Sequence, residues 1–321
     1  MDKFTKPNVF FSKCLGFDSC RYNGQMIMDA FVESLKPYVN SITTCPEMSI
    51  GLGVPRDSIR VVSEAGVLKL YQPSTEKEFT KEMNNFSNSY LKPLQNIDGF
   101  IFKKGSPSCG YKNVKIYNGT SKVTGSIKGA GIFGGNAVIL FPFTAIEDEG
   151  RLYNYRIRDH FLAKIFMSAD FRKVKEACSL KELIKFQSRH KLLIMANSQK
   201  YLKVLGKIVS NSDDKGIKTI LDEYESNLKL AFENIPRYTN NINVLMHAMG
   251  YFSKNITKKE TEFILDSFEK YKTGKLTLNT PMLLIKSYIV RFNIPYLLDQ
   301  TYFNPYPEEL IFLEDSGKIE A

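Results

Sequence analysis

Three of the five cysteines in this 321-residue chain follow short apolar runs and lie in turns made of Gly, Pro and Ser. Cys14 stands in FSKCLGFDSC, Cys45 in ITTCPE and Cys109 in KGSPSCG. Structural zinc sites usually take their ligands from close CxxC pairs, and this sequence has none. Three thiolates from three separate loops favour an iron–sulfur cluster that leaves its fourth iron open to substrate.

The two other cysteines have different surroundings. Cys20 lies six residues after Cys14, and three interpretations stay open for it: a fourth ligand, a substitute for one of the three, or a bystander. Cys178 lies in a helical pattern just before a helix start, and we expect it to be structural.

Side chains beside these cysteines could do acid–base chemistry. Glu47 follows Cys45 within two residues, so its carboxylate can serve as a general base for water near a bound electrophile. Ser106 and Ser108 flank Pro107 and offer hydroxyls that orient a substrate or donate a hydrogen bond to a leaving group.

Three further residues suit a planar or anionic ligand. Arg21, Tyr22 and Arg56 could hold an anionic or heteroaromatic substrate by charge and stacking. The three histidines of the chain all lie in its second half, on predicted helices, which argues against a Ser-His-Asp or Cys-His mechanism in the first half. The Gly-rich stretch 129–135 favours a helix start packed closely on a sheet over a phosphate-binding loop.

The elements that must position these residues alternate in type in the first half. Apolar runs rich in β-branched and aromatic residues predict strands, and helical periodicity predicts the segments between them. Because such alternation is typical of a parallel sheet, we predict an α/β N-terminal domain with a mainly parallel sheet over residues 1–150. The predicted strands are 8–13, 41–44, 59–62 and 99–104, and the predicted helices are 25–39 and 76–94, the second opened by a capping box at Thr75–Glu78. The carboxyl ends of parallel strands meet at one edge, where loops from distant positions can share a pocket.

From about Tyr153 the pattern is helical almost without interruption. Ser179–Glu182 and Thr257–Glu260 read as capping boxes in front of helices. We therefore predict an all-α C-terminal domain over residues 151–321.

Charge and apolar patterning limit partners and location. Lys and Arg number 44 against 34 Asp and Glu, giving a net charge of +10, and residues 166–305 hold 22 of these cations against 14 acids. This excess favours a helical domain that faces nucleic acid. No stretch approaches the roughly 20 apolar residues that cross a bilayer, and the N-terminus lacks a secretory apolar core, so we expect a cytoplasmic protein with no membrane partner.

The motifs SKCLGFDSCRYNG, TCPEMSIGLGVPR, KGSPSCG and GAGIF, in this order, resemble the thiouracil desulfurase (TudS) family. The downstream motifs EDEGRLYNYRIRDHF and FQSRHKLLIMANSQKYLKVLG resemble the YbgA-type helical domain fused to it in two-domain members. Two residues depart from the usual pattern: Asn23 stands where the family usually has Asp, and Asn197 where the helical domain commonly has His.

The resemblance implies a tRNA 4-thiouridine desulfidase with a [4Fe-4S] cluster. Cys14, Cys45 and Cys109 would hold the cluster, Glu47 would be the acid/base residue and Ser106 its helper. The open iron would bind the sulfur of the thiolated base, water would replace it, and uridine and hydrosulfide would result.

The expected partner is thiolated tRNA, held in part by a basic surface of the helical domain. Two alternatives remain: a desulfidase of free thiouracil-type bases, and a non-catalytic RNA-binding protein that uses its cysteines for metal. The residues expected to contribute to the RNA-binding surface are Lys185, Arg189, His190, Lys191 and Lys200.

Overall fold

The computed structural model describes residues 4–121, 125–211 and 216–311. The chain divides into two compact units between Ala169 and Asp170; unit 1 also includes the stretch from Glu309, and unit 2 ends at Glu308. The domain boundary predicted after residue 150 lies before this division. The difference arises because the long helix that begins at Tyr155 packs its first half in unit 1.

Among the residues that the structure describes, the strands lie in unit 1. In chain order they are β1 (Asn8–Ser12), β2 (Asn40–Thr44), β3 (Arg60–Glu64), β4 (Val67–Gln72), β5 (Lys77–Glu78), β6 (Gly99–Phe102), β7 (Val114–Asn118), β8 (Ser126–Gly129) and β9 (Ala145–Asp148).

The α-helices span both units. They are α1 (Ala30–Leu35), α2 (Pro46–Ser49), α3 (Thr80–Leu91), α4 (Ile132–Leu140), α5 (Tyr155–Ala177), α6 (Leu180–Arg189), α7 (Lys191–Asn197), α8 (Gln199–Ser210), α9 (Ile217–Ala231), α10 (Tyr238–Gly250), α11 (Lys258–Lys272), α12 (Asn279–Arg291) and α13 (Pro295–Leu298). Short 3-10 helices cover Lys36–Tyr38, Arg151–Tyr153, Ser253–Asn255, Thr301–Phe303 and Glu308–Leu310.

The first sheet is entirely parallel, with strand order β2-β1-β6-β9. Its central strand β1 pairs with β2 from Asn8 opposite Asn40 to Ser12 opposite Thr44, and with β6 on its other side. Because parallel strands end at the same edge, the loops after β2, β1 and β6 are neighbours. The predicted α/β fold with a mainly parallel sheet, followed by a helical region, is confirmed.

Aromatic side chains hold this sheet to its helices. The ring of Phe10 lies 5.5 Å from those of Phe100 and Phe102 and 5.7 Å from that of Phe133 on α4, between ring centroids. All four are fully buried. Burial of one such side chain stabilises a fold by about 1.5–3 kcal/mol, so this cluster fixes β1 and β6 relative to α4.

A second, mixed sheet was not predicted. Its strand order is β5-β4-β3-β7-β8, with only β3 and β7 parallel. The predicted strand 59–62 exists as β3 but belongs to this sheet. The other strands β4, β7 and β8 of this sheet are short and contain polar residues. Their apolar alternation is therefore a weak sequence signal for a strand.

Two predicted helix starts are wrong. The capping box at Thr75–Glu78 does not form, because Lys77 and Glu78 pair as strand β5 with β4 and the Thr75 hydroxyl donates to Gln72 Oε1 at 2.7 Å. The helix begins only at Thr80. The first predicted helix likewise begins at Ala30 rather than Gln25, where the Asp29 side chain accepts a hydrogen bond from the Val32 amide.

The Gly-rich stretch opens α4, as predicted; its Phe133 packs on the sheet, and two of its glycines pack on the loop that carries Cys109. A Cβ atom at Gly131 would stand 2.6 Å from the carbonyl oxygen of Pro107, and one at Gly134 would stand 2.3 Å from that of Cys109. Only glycine lets α4 approach this closely, so these two positions fix the backbone of the loop that carries Cys109.

Unit 2 is built from the second part of α5 and helices α6–α13. The Thr257–Glu260 capping box is confirmed, whereas the Ser179 side chain makes no capping hydrogen bond although α6 begins there. Among the described residues, no helix combines the length and apolar character needed to cross a membrane.

A buried histidine lies inside unit 2. His190 Nε2 is 2.7 Å from Asp170 Oδ2, and His190 Nδ1 is 3.0 Å from the Thr301 hydroxyl. Burial lowers the pKa of His190 below 6.5, although Asp170 opposes that shift. The unfolded chain therefore takes up a proton at this position before the folded chain does as the pH falls.

We expect the unfolding free energy to decline as the pH drops from about 7.5 to about 5.5, through the titration range of an unfolded histidine. Thermal melting of the full chain across this range measures the decline. An H190Q variant keeps a donor toward Asp170 but takes up no proton, so its decline is expected to be smaller. An equal decline in both proteins would contradict a role for His190.

Candidate functional site

The loops that follow β2, β1 and β6 carry Cys45, Cys14 and Cys109. The three loops are adjacent because β1 lies between β2 and β6 in the parallel sheet. Backbone hydrogen bonds reinforce the arrangement: the Lys13 amide donates to the Thr44 carbonyl at 3.1 Å, across the ends of β1 and β2. The fold thus brings together three thiols that are far apart in the sequence.

These loops enclose a cavity of about 240 Å³. Each site residue predicted in the first half of the chain lines it: Cys14, Arg21, Tyr22, Cys45, Glu47, Arg56, Ser106, Ser108 and Cys109. Cys20 also lines it. Cys178 does not, because it lies in unit 2, exposed, after α5.

The thiols of the cavity lie close enough to perturb one another's pKa. Cys20 is buried, and the Cys45 thiol donates to the Cys20 carbonyl at 3.7 Å. The hydrogen bond with Cys14 raises the pKa of Cys20 to about 11, and burial raises the pKa of Cys109 to about 12. The hydrogen bond with Cys20, together with burial, also raises the pKa of Cys45. Thiols in this state are protonated at neutral pH, and metal binding would release their protons.

Glu47 is the one carboxylate on the cavity wall among the described residues. It lies in the first turn of α2, directly after Cys45, and is 8% exposed. The Ser108 hydroxyl donates to its Oε1 at 2.6 Å, and Arg56 Nε donates to its Oε2 at 2.8 Å. Because both oxygens have a donor, the carboxylate is fixed in one orientation at the cavity wall.

The two serines have distinct positions. Ser108 is buried and bonds directly to Glu47, whereas Ser106 reaches Glu47 only through Ser108, at 3.0 Å between the two hydroxyl oxygens. The Cys109 amide donates to the Ser106 hydroxyl at 3.1 Å. Ser106 therefore joins the Cys109 loop to the hydroxyl chain that ends at Glu47.

Arg56 ties the loops together. Its Nη1 donates to the carbonyls of Cys20 and Gly53 at 3.1 and 2.9 Å, and its amide donates to the Tyr22 carbonyl at 2.8 Å. Its guanidinium therefore forms a buried ion pair with Glu47 and positions that carboxylate. Arg56 was predicted to bind substrate, and this positioning role was not part of that prediction. Arg21 differs: its guanidinium donates to Gln25 Oε1 at 3.5 Å and lies 5.7 Å above the Tyr22 ring, at the exposed side of the cavity.

Sequence reasoning missed part of this wall. Lys103 and Lys104 line the cavity directly after β6. The Lys103 ammonium bonds Glu149 Oε1 at 2.6 Å, while its amide donates to the Ser12 hydroxyl at 2.9 Å. The sequence could have predicted this, because two adjacent lysines end the predicted strand 99–104 at the edge where the cysteine loops begin.

Comparison with known proteins matches the two parts of the chain separately. A family model described as 2-thiouracil desulfurase matches residues 9–149, and a model described as a protein of unknown function, DUF1722, matches residues 191–307. The uncharacterized YbbK of Bacillus subtilis strain 168 is 31% identical over 129 residues, which cover 37% of this chain and 83% of YbbK. The chain belongs to the 2-thiouracil desulfurase family.

Two other relatives match different parts of this desulfurase family member. The uncharacterized YbgA of Escherichia coli strain K12 is 27% identical over 166 residues, covering 51% of this chain and 98% of YbgA. A solved structure of the [4Fe-4S]-dependent thiouracil desulfidase TudS is 25% identical, with a TM-score of 0.38 over 46% of this chain and 93% of that chain. Family membership makes the chain a thionucleobase desulfidase with a YbgA-type region after the desulfurase domain.

The cavity wall offers cysteine thiols, which are the protein donors that iron–sulfur clusters use. Among residues 4–121, 125–211 and 216–311, no three His, Cys, Asp or Glu side chains are grouped closely enough to hold one ion. Cysteines that ligate a cluster bind different irons and so surround a space rather than a point. Cys14, Cys45 and Cys109 all line the cavity and would be the candidate ligands.

The residues predicted to bind RNA lie in unit 2, with unequal exposure. Lys185, Lys191 and Lys200 are exposed, and Lys185 pairs with Glu182 at 2.7 Å. Arg189 is half-buried and pairs with Asp170. His190 is 3% exposed, and both of its ring nitrogens are hydrogen-bonded inside unit 2. The prediction that His190 contacts RNA is therefore wrong.

Proposed function

We propose that this chain is an iron–sulfur-dependent desulfidase that converts 4-thiouridine in tRNA to uridine and releases hydrosulfide. The observation that carries the proposal is the convergence of three cysteine loops and one fixed carboxylate on a single cavity. Family membership supports the class of reaction.

Cys14, Cys45 and Cys109 would hold a [4Fe-4S] cluster as thiolates. When bound by three protein ligands, such a cluster leaves one iron open, which acts as a Lewis acid toward the soft sulfur of a thiocarbonyl. Cys20 remains beside this set, and its carbonyl accepts a hydrogen bond from the thiol of Cys45.

Glu47 activates water in this proposal. Its carboxylate takes a proton from a water molecule, whose oxygen attacks the ring carbon that bears sulfur. The C–O bond forms, the C–S bond breaks, and sulfur leaves as hydrosulfide, so no electrons are exchanged. Arg56 and Ser108 keep the carboxylate aimed during the step, because each holds one of its oxygens.

Two chemical features support a nucleic-acid substrate. Tyr22 and Arg21, at the exposed side of the cavity, suit stacking on a base that has left its helix. The exposed lysines Lys191 and Lys200 of unit 2 suit contacts with phosphates. A second candidate substrate is a free thiouracil-type base, favoured by the description of the matching family.

The experiment compares sulfide release from tRNA that carries 4-thiouridine and from free 4-thiouracil by the full chain, loaded without oxygen. We expect a higher kcat/KM for tRNA. A K191Q/K200Q variant should lose about tenfold in kcat/KM on tRNA, through KM, and nothing on the free base. K254Q/K275Q, at exposed lysines elsewhere in unit 2, is the matched control.

The outcomes separate the candidate functions. A higher kcat/KM on the free base than on tRNA would favour the free-base desulfidase. A chain with stoichiometric zinc and no sulfide release from either substrate would favour the non-catalytic RNA-binding protein.

A further inference from the structure

The second sheet of unit 1 has one face that is mostly polar, with Val62 as a fully buried residue at its centre. Along its strands, Val61, Leu70, Val114 and Ile116 point to the buried face and belong to the core cluster. The alternating positions point the other way. Strand register therefore places the following side chains on one opposite face, called here the outer face: Arg60, Val62, Glu64, Val67, Lys69, Tyr71, Glu78, Lys115, Tyr117, Ser126 and Lys128.

The outer face combines aromatic rings with cations. Tyr71 and Tyr117 are half-buried, so part of each ring is exposed. The Arg60 guanidinium lies 5.1 Å above the Tyr117 ring. Lys115 and Lys128 are both exposed. Rings and guanidinium planes that alternate with ammonium groups on a sheet are suited to stack on bases and to neutralise phosphates.

The charge on the outer face is unbalanced. Its acidic residues, Glu64 and Glu78, both pair with Lys69, at 2.8 and 3.5 Å. Within the described part of the chain, no acidic side chain pairs with Arg60, Lys115 or Lys128.

Two unfavourable features occur at this same end of the sheet. Lys115 stands directly opposite Lys128 in the antiparallel pair β7–β8, and like charges in that position repel. Arg60 Nε is buried with no hydrogen-bond partner among the described residues. A polyanion seated on this face would relieve the repulsion between the two lysines.

The outer face continues from the wall of the cavity. Ser58 and Ile59 line the cavity, and β3 begins with the next residue, Arg60. A nucleotide in the cavity that is still part of an RNA chain must have neighbours just outside it. The start of β3 is one place where those neighbours would meet the protein.

We propose that the outer face binds the RNA segment next to the thiolated nucleotide, so that unit 1 contacts the substrate RNA beyond the base itself. This inference rests on the proposed function. Lys115 and Lys128 would contact phosphates, while Tyr71, Tyr117 and Arg60 would stack on unpaired bases.

The test measures binding of the full chain to a tRNA transcript that lacks thiolated bases, over a range of salt concentrations. A K115Q/K128Q variant should bind about tenfold more weakly, and the slope of log K against log salt should fall by about 1.4–1.8. K77Q/K81Q is the matched control, since both lysines are exposed and Lys77 lies on the opposite face of the sheet. Y117L should weaken binding without changing the slope.

Unchanged affinity and slope in K115Q/K128Q would overturn the proposal. So would a loss of binding to phosphatidylserine vesicles without a loss of binding to RNA. Sulfide release from free 4-thiouracil should be equal in all variants, since none of the substituted residues lines the cavity. Absence of sulfide release in the wild-type chain would contradict the proposed function. The RNA-binding measurement would still test the outer face, because it does not depend on activity.

Discussion

Replacing Glu47 with Gln is expected to lower kcat for desulfidation by about 10²–10⁴-fold, the usual contribution of a general base. An amide cannot accept the proton of water, but it can keep the hydrogen bonds of the site. Its oxygen can accept from Arg56, and its NH₂ group can donate to the Ser108 hydroxyl. The E47Q variant should therefore fold and retain iron like the wild-type chain.

Single-turnover sulfide release, measured without oxygen together with iron content, checks this expectation. S49A, at the end of the same short helix α2, serves as a control that should keep its activity. A near wild-type rate for E47Q would refute the role of Glu47 as base. Loss of iron along with activity would instead place Glu47 in the binding of the metal.

Replacing any one of Cys14, Cys45 and Cys109 with Ser is expected to remove most of the iron and all measurable activity. Hydroxyl groups are poor ligands for iron in such clusters, whereas a cysteine binds as the soft thiolate. Each of the three loops contributes one proposed ligand, so no loop can replace another.

Cys20 and Cys178 provide matched controls for this series. C20S should retain iron, because Cys20 lies outside the proposed ligand set although it lines the same cavity. C178S should behave as wild type, because Cys178 is exposed in unit 2. Iron content of each variant and its absorbance in the visible range are the measurements. Iron loss in C20S equal to that in C45S would make Cys20 a ligand.

The position of the cavity could be predicted because it depends on local sequence. Cys14 and Cys45 directly follow strands whose apolar runs are clear, and parallel strands bring their carboxyl ends together whatever the sequence between them. Cys109 lies farther from the end of β6, in a loop whose backbone is fixed by Gly131 and Gly134 at the start of α4. The helical periodicity that begins near Tyr153 also distinguished the helical second half of the chain from the α/β first half.

The partners of individual side chains could not be predicted in the same way. Ser108 and Glu47 are 61 residues apart, and their hydrogen bond depends on the exact approach of two loops. The same applies to Arg56, whose guanidinium joins Glu47 to the carbonyl of Cys20. Sequence pattern gives the loop on which a side chain lies, whereas its partner depends on tertiary packing.

Local helix signals were misleading where a hairpin competed for the same residues. Thr75 and Glu78 have the spacing of a capping box, yet Glu78 pairs with Tyr71 across β4 and β5. The strand pairing prevails because it adds to a five-stranded sheet, whose packing contributes more than one helix cap.

Cys14, Cys45 and Cys109 are expected to hold an iron–sulfur cluster beside Glu47. Diffraction at the iron absorption edge, from crystals grown without oxygen, locates the metal in the structure. We expect anomalous density for iron in the cavity, within bonding distance of the sulfurs of these three cysteines and not of Cys20. Iron bound through Cys20 in place of one of them, or a cavity that holds zinc or no metal, would contradict it.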